Sequence, residues 1–191
     1  MYHIENLFST PIYSCSIENK DTIQLEIADI LENLNYDDSY NYNKYDKNFE
    51  TTDPTIDIID QKQLTNLSHA IQYHLEQYCK ELGFNLRNYK RISWIVKTSK
   101  GGNTMSHTHG EYDIAGVYYF KTNGQDGEIY FESPVGPAVS SLCFQKYSER
   151  YSHRPAIGKL ILFPGWLAHG VKTNNTDSER ISLAFSIAFS R

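Results

Sequence analysis

No apolar run in the 191 residues approaches the roughly 20 needed to cross a bilayer. No basic start followed by a long apolar stretch opens the chain, so no secretory signal is read. Both absences predict a chain without a membrane partner. Cysteine is scarce: Cys15, Cys79 and Cys143 are far apart, odd in number and without a CxxC pair. They predict free thiols in a reducing, cytoplasmic setting and exclude a disulfide frame. Basic residues are outnumbered, with 18 Lys and Arg against 23 Asp and Glu, for a net charge of −5. A dedicated nucleic-acid binder usually shows the opposite balance. No repeat and no linker is visible, and the length suits one domain, 1–191, with a proper core.

What is present divides into a helical first part, 1–86, and a strand-rich second part, 87–191. Leu7 to Tyr13 reads as a short extended segment that Pro11 confines to a sheet edge or start. Asn19 to Thr22 offer N-cap residues. Ile23, Ile27, Ile30, Leu31 and Leu34 then recur at helical spacing. Residues 35–54 are rich in Asn, Asp, Tyr and Lys and read as a loop, mobile and bordering either the active-site mouth or an oligomer contact. Leu64, Leu67, Ile71, Leu75, Tyr78 and Leu82 form one face of a second helix, which Gly83 ends.

After Gly83 the period changes to that of strands. The segments 91–97, 114–120, 128–131, 141–147, 159–163, 168–173 and 180–190 read as strands, with turn signals at Asn123-Gly124 and Asp126-Gly127. The segment 148–158 reads as a polar loop. Helices followed by about eight short strands predict a mainly β sandwich or barrel braced by N-terminal helices. In the last strand Ile181, Leu183, Phe185, Ile187 and Phe189 lie on one face, with Arg180, Ser182, Ala184, Ser186 and Ala188 on the other. The bulky face predicts packing, and the small polar face a pocket wall into which Arg180 and Ser182 project.

His107 and His109 stand two apart, which in an extended strand puts both on one face. His169 follows a separate apolar run. Imidazole is a common transition-metal ligand, so the three residues predict a metal site. The duller alternative is a pair of solvated loop histidines and a core histidine bonded to backbone. Glu111 and Asp113 lie close enough in sequence to complete a mixed shell, or to be exposed loop acids. Arg180 is either a surface charge after Asp177-Ser178-Glu179 or a clamp for a carboxylate.

In this order the motifs resemble those of a small family of iron(II)/2-oxoglutarate oxygenases related to prolyl hydroxylases. The matching pieces are Leu7-Phe-Ser-Thr-Pro-Ile12, Trp94 to Gly102 with His107-Thr-His109, Ala115-Gly-Val-Tyr-Tyr119, Gly127 to Pro134, Gly158 to His169, and Arg180-Ile-Ser-Leu-Ala-Phe185. The resemblance implies a double-stranded β-helix, or jelly roll. It implies Fe(II) held by His107, His109 and His169, with Glu111 as the alternative carboxylate ligand in a triad with His109 and His169. It implies 2-oxoglutarate bound at Arg180 beside Ser182 and Tyr119, with O2 as the other co-substrate and a hydroxylated substrate as product. It also implies Asn in many relatives where this chain has Ser186. A homodimer is an open partner. Two other readings are a cupin-type metalloenzyme that does without 2-oxoglutarate, for which Asp113 stands at the motif's acid position, and a non-enzymatic jelly-roll binding protein.

Overall fold

The computed structural model describes residues 9–36, 48–136, 142–143 and 145–190. In chain order the elements are β1 (Tyr13–Ser16), α1 (Lys20–Leu31), β2 (Phe49–Thr51), α2 (Ile58–Gln61), α3 (Thr65–Glu81), β3 (Tyr89–Thr98), β4 (Thr104–His107) and β5 (Ile114–Lys121). They continue with β6 (Ile129–Phe131), a 3-10 turn (Gln145–Ser148), β7 (Tyr151–His153), β8 (Lys159–Pro164), β9 (His169–Val171) and β10 (Arg180–Phe189). Strands β1-β8-β5-β10-β3-β2 form one sheet and β4-β9-β6-β7 the other. Every strand pair in both is antiparallel. The two sheets make the expected mainly β jelly roll.

The period-2 alternation of β10 sets the layers. Leu183, Phe185 and Ile187 face the helices, clustering with Ile23 and Ile27 of α1 and with Leu67, Ile71, Leu75 and Tyr78 of α3. Burying each such side chain stabilises by about 1.5–3 kcal/mol. On the opposite face Ser182 and Ala184 line a cavity between the sheets. Strand β5 alternates likewise: Tyr118 joins the helix-side core, while Val117 and Tyr119 join Ile129, Phe131, Ile161 and Phe163 inside the roll.

The helices are fixed by long-range caps. No side chain of its own caps α3. Glu26 of α1 does so instead, accepting from the Asn66 and Leu67 amides at 2.9 and 3.0 Å. The carboxylate also meets the positive end of the helix dipole. Gly83 ends α3 with φ +68, as its lack of Cβ allows. Helix α2 starts at Asp57, whose carboxylate accepts from Ile59 N at 3.2 Å and from Arg91 Nε at 2.8 Å.

Four expectations change. The first strand is 13–16 and not 7–13; residues 1–8 lie outside the described set. Within the expected loop 35–54, Phe49–Thr51 is a strand pairing with Thr98 to Val96, and residues 37–47 lie outside the described set. The strand expected over 141–147 is a turn and a 3-10 helix where described, with 141 and 144 undescribed. The expected loop 148–158 contains β7, paired to β6. Strands of three residues are shorter than any alternation a sequence window can read; their partners, distant in the chain, define them.

Candidate metal centre

Cross-strand pairing brings two of the three histidines together, His107 and His169. His107 ends β4 and is the register partner of His169 in β9, across an irregularity between Thr104 and His107. Their ring centroids are 4.4 Å apart. His109 lies beyond the end of β4, so the shared-face argument for the pair does not describe the local backbone. A turn positions it instead: His109 N donates to Gly165 O at 2.8 Å, and Tyr112 N donates to His109 O at 2.8 Å. This approach requires glycine at 165, where a Cβ would lie 2.0 Å from Tyr112 O.

One nitrogen from each of His107, His109 and His169 lies within 4.8 Å of the others. The second nitrogen of each ring is held by an oxygen. His107 Nδ1 is bonded to Met105 O at 2.9 Å, His169 Nδ1 to Leu167 O at 2.8 Å and His109 Nδ1 to Ser186 Oγ at 3.1 Å. Such outer partners orient metal-binding imidazoles. The Nε2 atoms of His109 and His169 are 3.3 Å apart. Two nitrogens each about 2.1 Å from one ion sit at a similar separation, so the donor set fits a metal. Burial, with His107 adding, lowers the His109 pKa to about 4 and that of His169 to about 3. Both rings therefore stay neutral, with a lone pair available, at neutral pH.

Glu111 is not part of this cluster. It is exposed and borders a surface groove with Asp57, Asp60 and Arg91. Asp113 also points elsewhere, accepting from Phe189 N at 2.8 Å. The shell available to a metal among the described residues is three histidines.

Arg180 opens β10 and is 2% exposed. Its Nη1 donates to Asp126 O and Gly127 O at 2.9 and 3.0 Å, and its Nη2 to Thr98 Oγ1 at 3.1 Å. Gly127, at φ +105, makes this possible: a Cβ there would lie 2.6 Å from Nη1. No carboxylate pairs with this guanidinium among the described residues. The Asp126 side chain is engaged by Thr122 and Asn123 at 2.6 and 2.8 Å. Burial lowers the Arg180 pKa, against the pull of Tyr119 and Asp126. Burial pushes Tyr119 up to about 12, so its phenol remains an O–H donor. Arg180, Ser182 and Tyr119 line the same cavity as His107, His109 and His169.

Sequence reasoning had given no role to Ser186, Thr98 or Trp94. Alternation had placed Ser186 on the small face of β10 with Arg180 and Ser182, but nothing local pointed to its contact with His109. Trp94, with its ring 5.9 Å from that of His109, is one of the chain's two tryptophans. No local signal marks Thr98, which meets Arg180 only through strand pairing.

The imidazole cluster and the buried arginine, which has no carboxylate partner among the described residues, share one cavity of the jelly roll. Residues 92–186, about half of the chain, match the family model described as "Putative 2OG-Fe(II) oxygenase". This span contains every site residue named above. The chain belongs to that family and is an iron(II)- and 2-oxoglutarate-dependent oxygenase with O2 as co-substrate. No curated protein matches the sequence. Solved structures share the fold. An oxidoreductase of the 2OG-Fe(II) oxygenase family from Burkholderia pseudomallei aligns with TM-score 0.63 and 14% identity, over 86% of this chain and 77% of its own. HygX from Streptomyces hygroscopicus, solved with nickel and 2-oxoglutarate bound, gives 0.67 and 10%, over 95% and 84%. A Pseudomonas putida prolyl-4-hydroxylase gives 0.60 and 14%, over 97% and 96%. No helix among the described residues is long and apolar enough to cross a membrane.

Proposed function

We propose that this chain hydroxylates its substrate at iron(II) held by Nε2 of His107, His109 and His169, with the remote carboxylate of 2-oxoglutarate on Arg180. One observation carries the reading: a buried guanidinium without an acid partner among the described residues lines the cavity that holds the three inward-facing imidazoles. An uncompensated buried cation is costly, and an incoming carboxylate offsets that cost. The planar fork also suits a carboxylate better than a point charge does. Ser182 and the protonated Tyr119 stand ready to donate to the same oxygens.

Iron(II), 2-oxoglutarate and dioxygen, when bound, would supply oxidative decarboxylation to succinate and carbon dioxide together with hydroxylation of the substrate. The chain binds, orients and shields. Met105 O, Leu167 O and Ser186 Oγ fix the three rings. Val117, Ile129, Phe163 and Val171 give the cavity an apolar lining. Trp94 lines the cavity beside His109. Three neutral imidazoles leave the ferrous centre one charge more positive than two histidines and a carboxylate do. That excess charge favours an anionic co-substrate.

A reducing cytoplasmic setting suits the three cysteines, all of them free. A homodimer is compatible with the reading but not required, since every residue named comes from one chain. Anaerobic titration of the iron(II)-loaded protein with 2-oxoglutarate tests the proposal. A visible charge-transfer band that saturates at one equivalent is expected. Bound iron with no band at any 2-oxoglutarate concentration would favour cupin-type chemistry.

A further inference from the structure

His109 differs from the other two histidines in what holds its outer nitrogen. His107 and His169 each face a backbone carbonyl, Met105 O at 2.9 Å and Leu167 O at 2.8 Å. A carbonyl oxygen only accepts, so both rings carry a proton on Nδ1 and turn Nε2 inward, and burial keeps the Nε2 of His169 bare. His109 Nδ1 instead faces the hydroxyl of Ser186 at 3.1 Å. Ser186 is fully buried, at 0% exposure. A hydroxyl both donates and accepts, so it satisfies either tautomer of the ring.

The inner side of His109 requires both tautomers in turn. Its Nε2 is 3.3 Å from the bare Nε2 of His169. Two lone pairs at that distance repel when no cation lies between them. A proton on His109 Nε2 turns the contact into an N–H···N bond, and Ser186 then donates to Nδ1. When a metal takes Nε2, the ring proton must sit on Nδ1, and Ser186 accepts it.

We infer that Ser186 is a positioning residue that lets His109 exchange tautomers as the metal enters, so that the site is bonded throughout in both its empty and its loaded state. The inference rests on the histidine triad proposed above. Protons balance: the ring is neutral with one N–H in each state, and the serine keeps its own proton. Only the site of the ring proton and the rotation of the hydroxyl change. An acceptor fixed like the two carbonyls would orient a loaded His109 equally well, but would leave the lone pairs opposed in the empty site.

The test compares Ser186→Thr with Ser186→Val, using zinc as a diamagnetic probe. Both variants add similar bulk between the register neighbours Ile92 and Ala115; they differ in the hydroxyl. Nitrogen-15 spectra of the metal-free parent near neutral pH should show His109 as the Nε2–H tautomer and His107 and His169 as Nδ1–H. Zinc should convert His109 alone. Ser186→Val should bind zinc about 10- to 100-fold more weakly than Ser186→Thr, the usual effect of losing such a partner. An Nδ1–H tautomer at His109 without metal, or equal zinc affinity in the two variants, overturns the inference. Failure of the parent to take up zinc would instead overturn the triad, and the metal-free spectrum would still decide the tautomer.

Discussion

His107 and His169 are register partners across β4 and β9, with ring centroids 4.4 Å apart. Neither strand is long, at 4 and 3 residues. The antiparallel ladder, not spacing along one strand, brings these two imidazoles together. His109 then completes the cluster from a turn. The site is therefore most sensitive to whatever holds that turn against the strand end of β8.

Gly165→Ala should disturb it. The added methyl would lie 2.0 Å from Tyr112 O and 3.3 Å from His109 O. Backbone must move to admit it, at a cost of about 1–3 kcal/mol, as for other overpacked positions. Thermal unfolding should show the loss, and a metal titration should show weaker binding because His109 is displaced. Parent-like affinity in a folded variant would mean that the turn does not position the ligand.

The metal-free protein should lose stability in mild acid. The folded-state pKa values of about 4 for His109 and about 3 for His169 lie below the usual 6.5. Between those values the unfolded chain binds protons that the folded chain refuses, so stability rises with pH there and falls as pH drops through 6.5. Unfolding midpoints measured from pH 7.5 to 5.5, above most carboxylate titrations, should fall. Replacing both rings by Gln should flatten the slope, and bound metal should oppose the fall until acid displaces it. A flat profile in the metal-free parent would contradict the buried neutral pair.

Arg180→Ala should weaken 2-oxoglutarate binding. Truncating one partner of a buried charge pair typically costs about 2–5 kcal/mol, or about 30-fold and more in affinity. The fold should also suffer, because Asp126 O, Gly127 O and Thr98 Oγ1 all lose a donor. Arg180→Lys should recover part of the affinity, since charge survives while the fork is lost. Calorimetry on the folded variants with iron bound separates the effects: iron affinity near the parent's, 2-oxoglutarate affinity reduced. Unchanged 2-oxoglutarate affinity in Arg180→Ala would move the clamp elsewhere.

Much of this was legible in the sequence because it rests on alternation. The two faces of β10 could be read directly, so Arg180 and Ser182 were expected on a cavity wall and Phe185 in the core. The face of α3 was equally plain. The short strands β2 and β7 were not legible, because three residues make no period and only their distant partners define them. The three histidines were found by residue type, but for an incomplete reason: strand geometry relates His107 to His169, while His109 depends on the glycine at 165. Glu111 was a reasonable candidate by proximity in sequence, yet the turn after His109 carries it to the outer surface. Ser186 was visible as a departure from relatives, but its meaning depended on a 3.1 Å contact to a residue 77 positions away.

Iron content in single alanine variants tests the central claim most directly. His107, His109, His169 and Glu111 would each be replaced, the folded proteins loaded anaerobically with iron(II), and bound iron counted by elemental analysis. The account predicts about one iron per chain in the parent and in Glu111→Ala, with marked loss in each histidine variant. Retention of iron in His107→Ala, together with its loss in Glu111→Ala, would contradict the three-histidine centre.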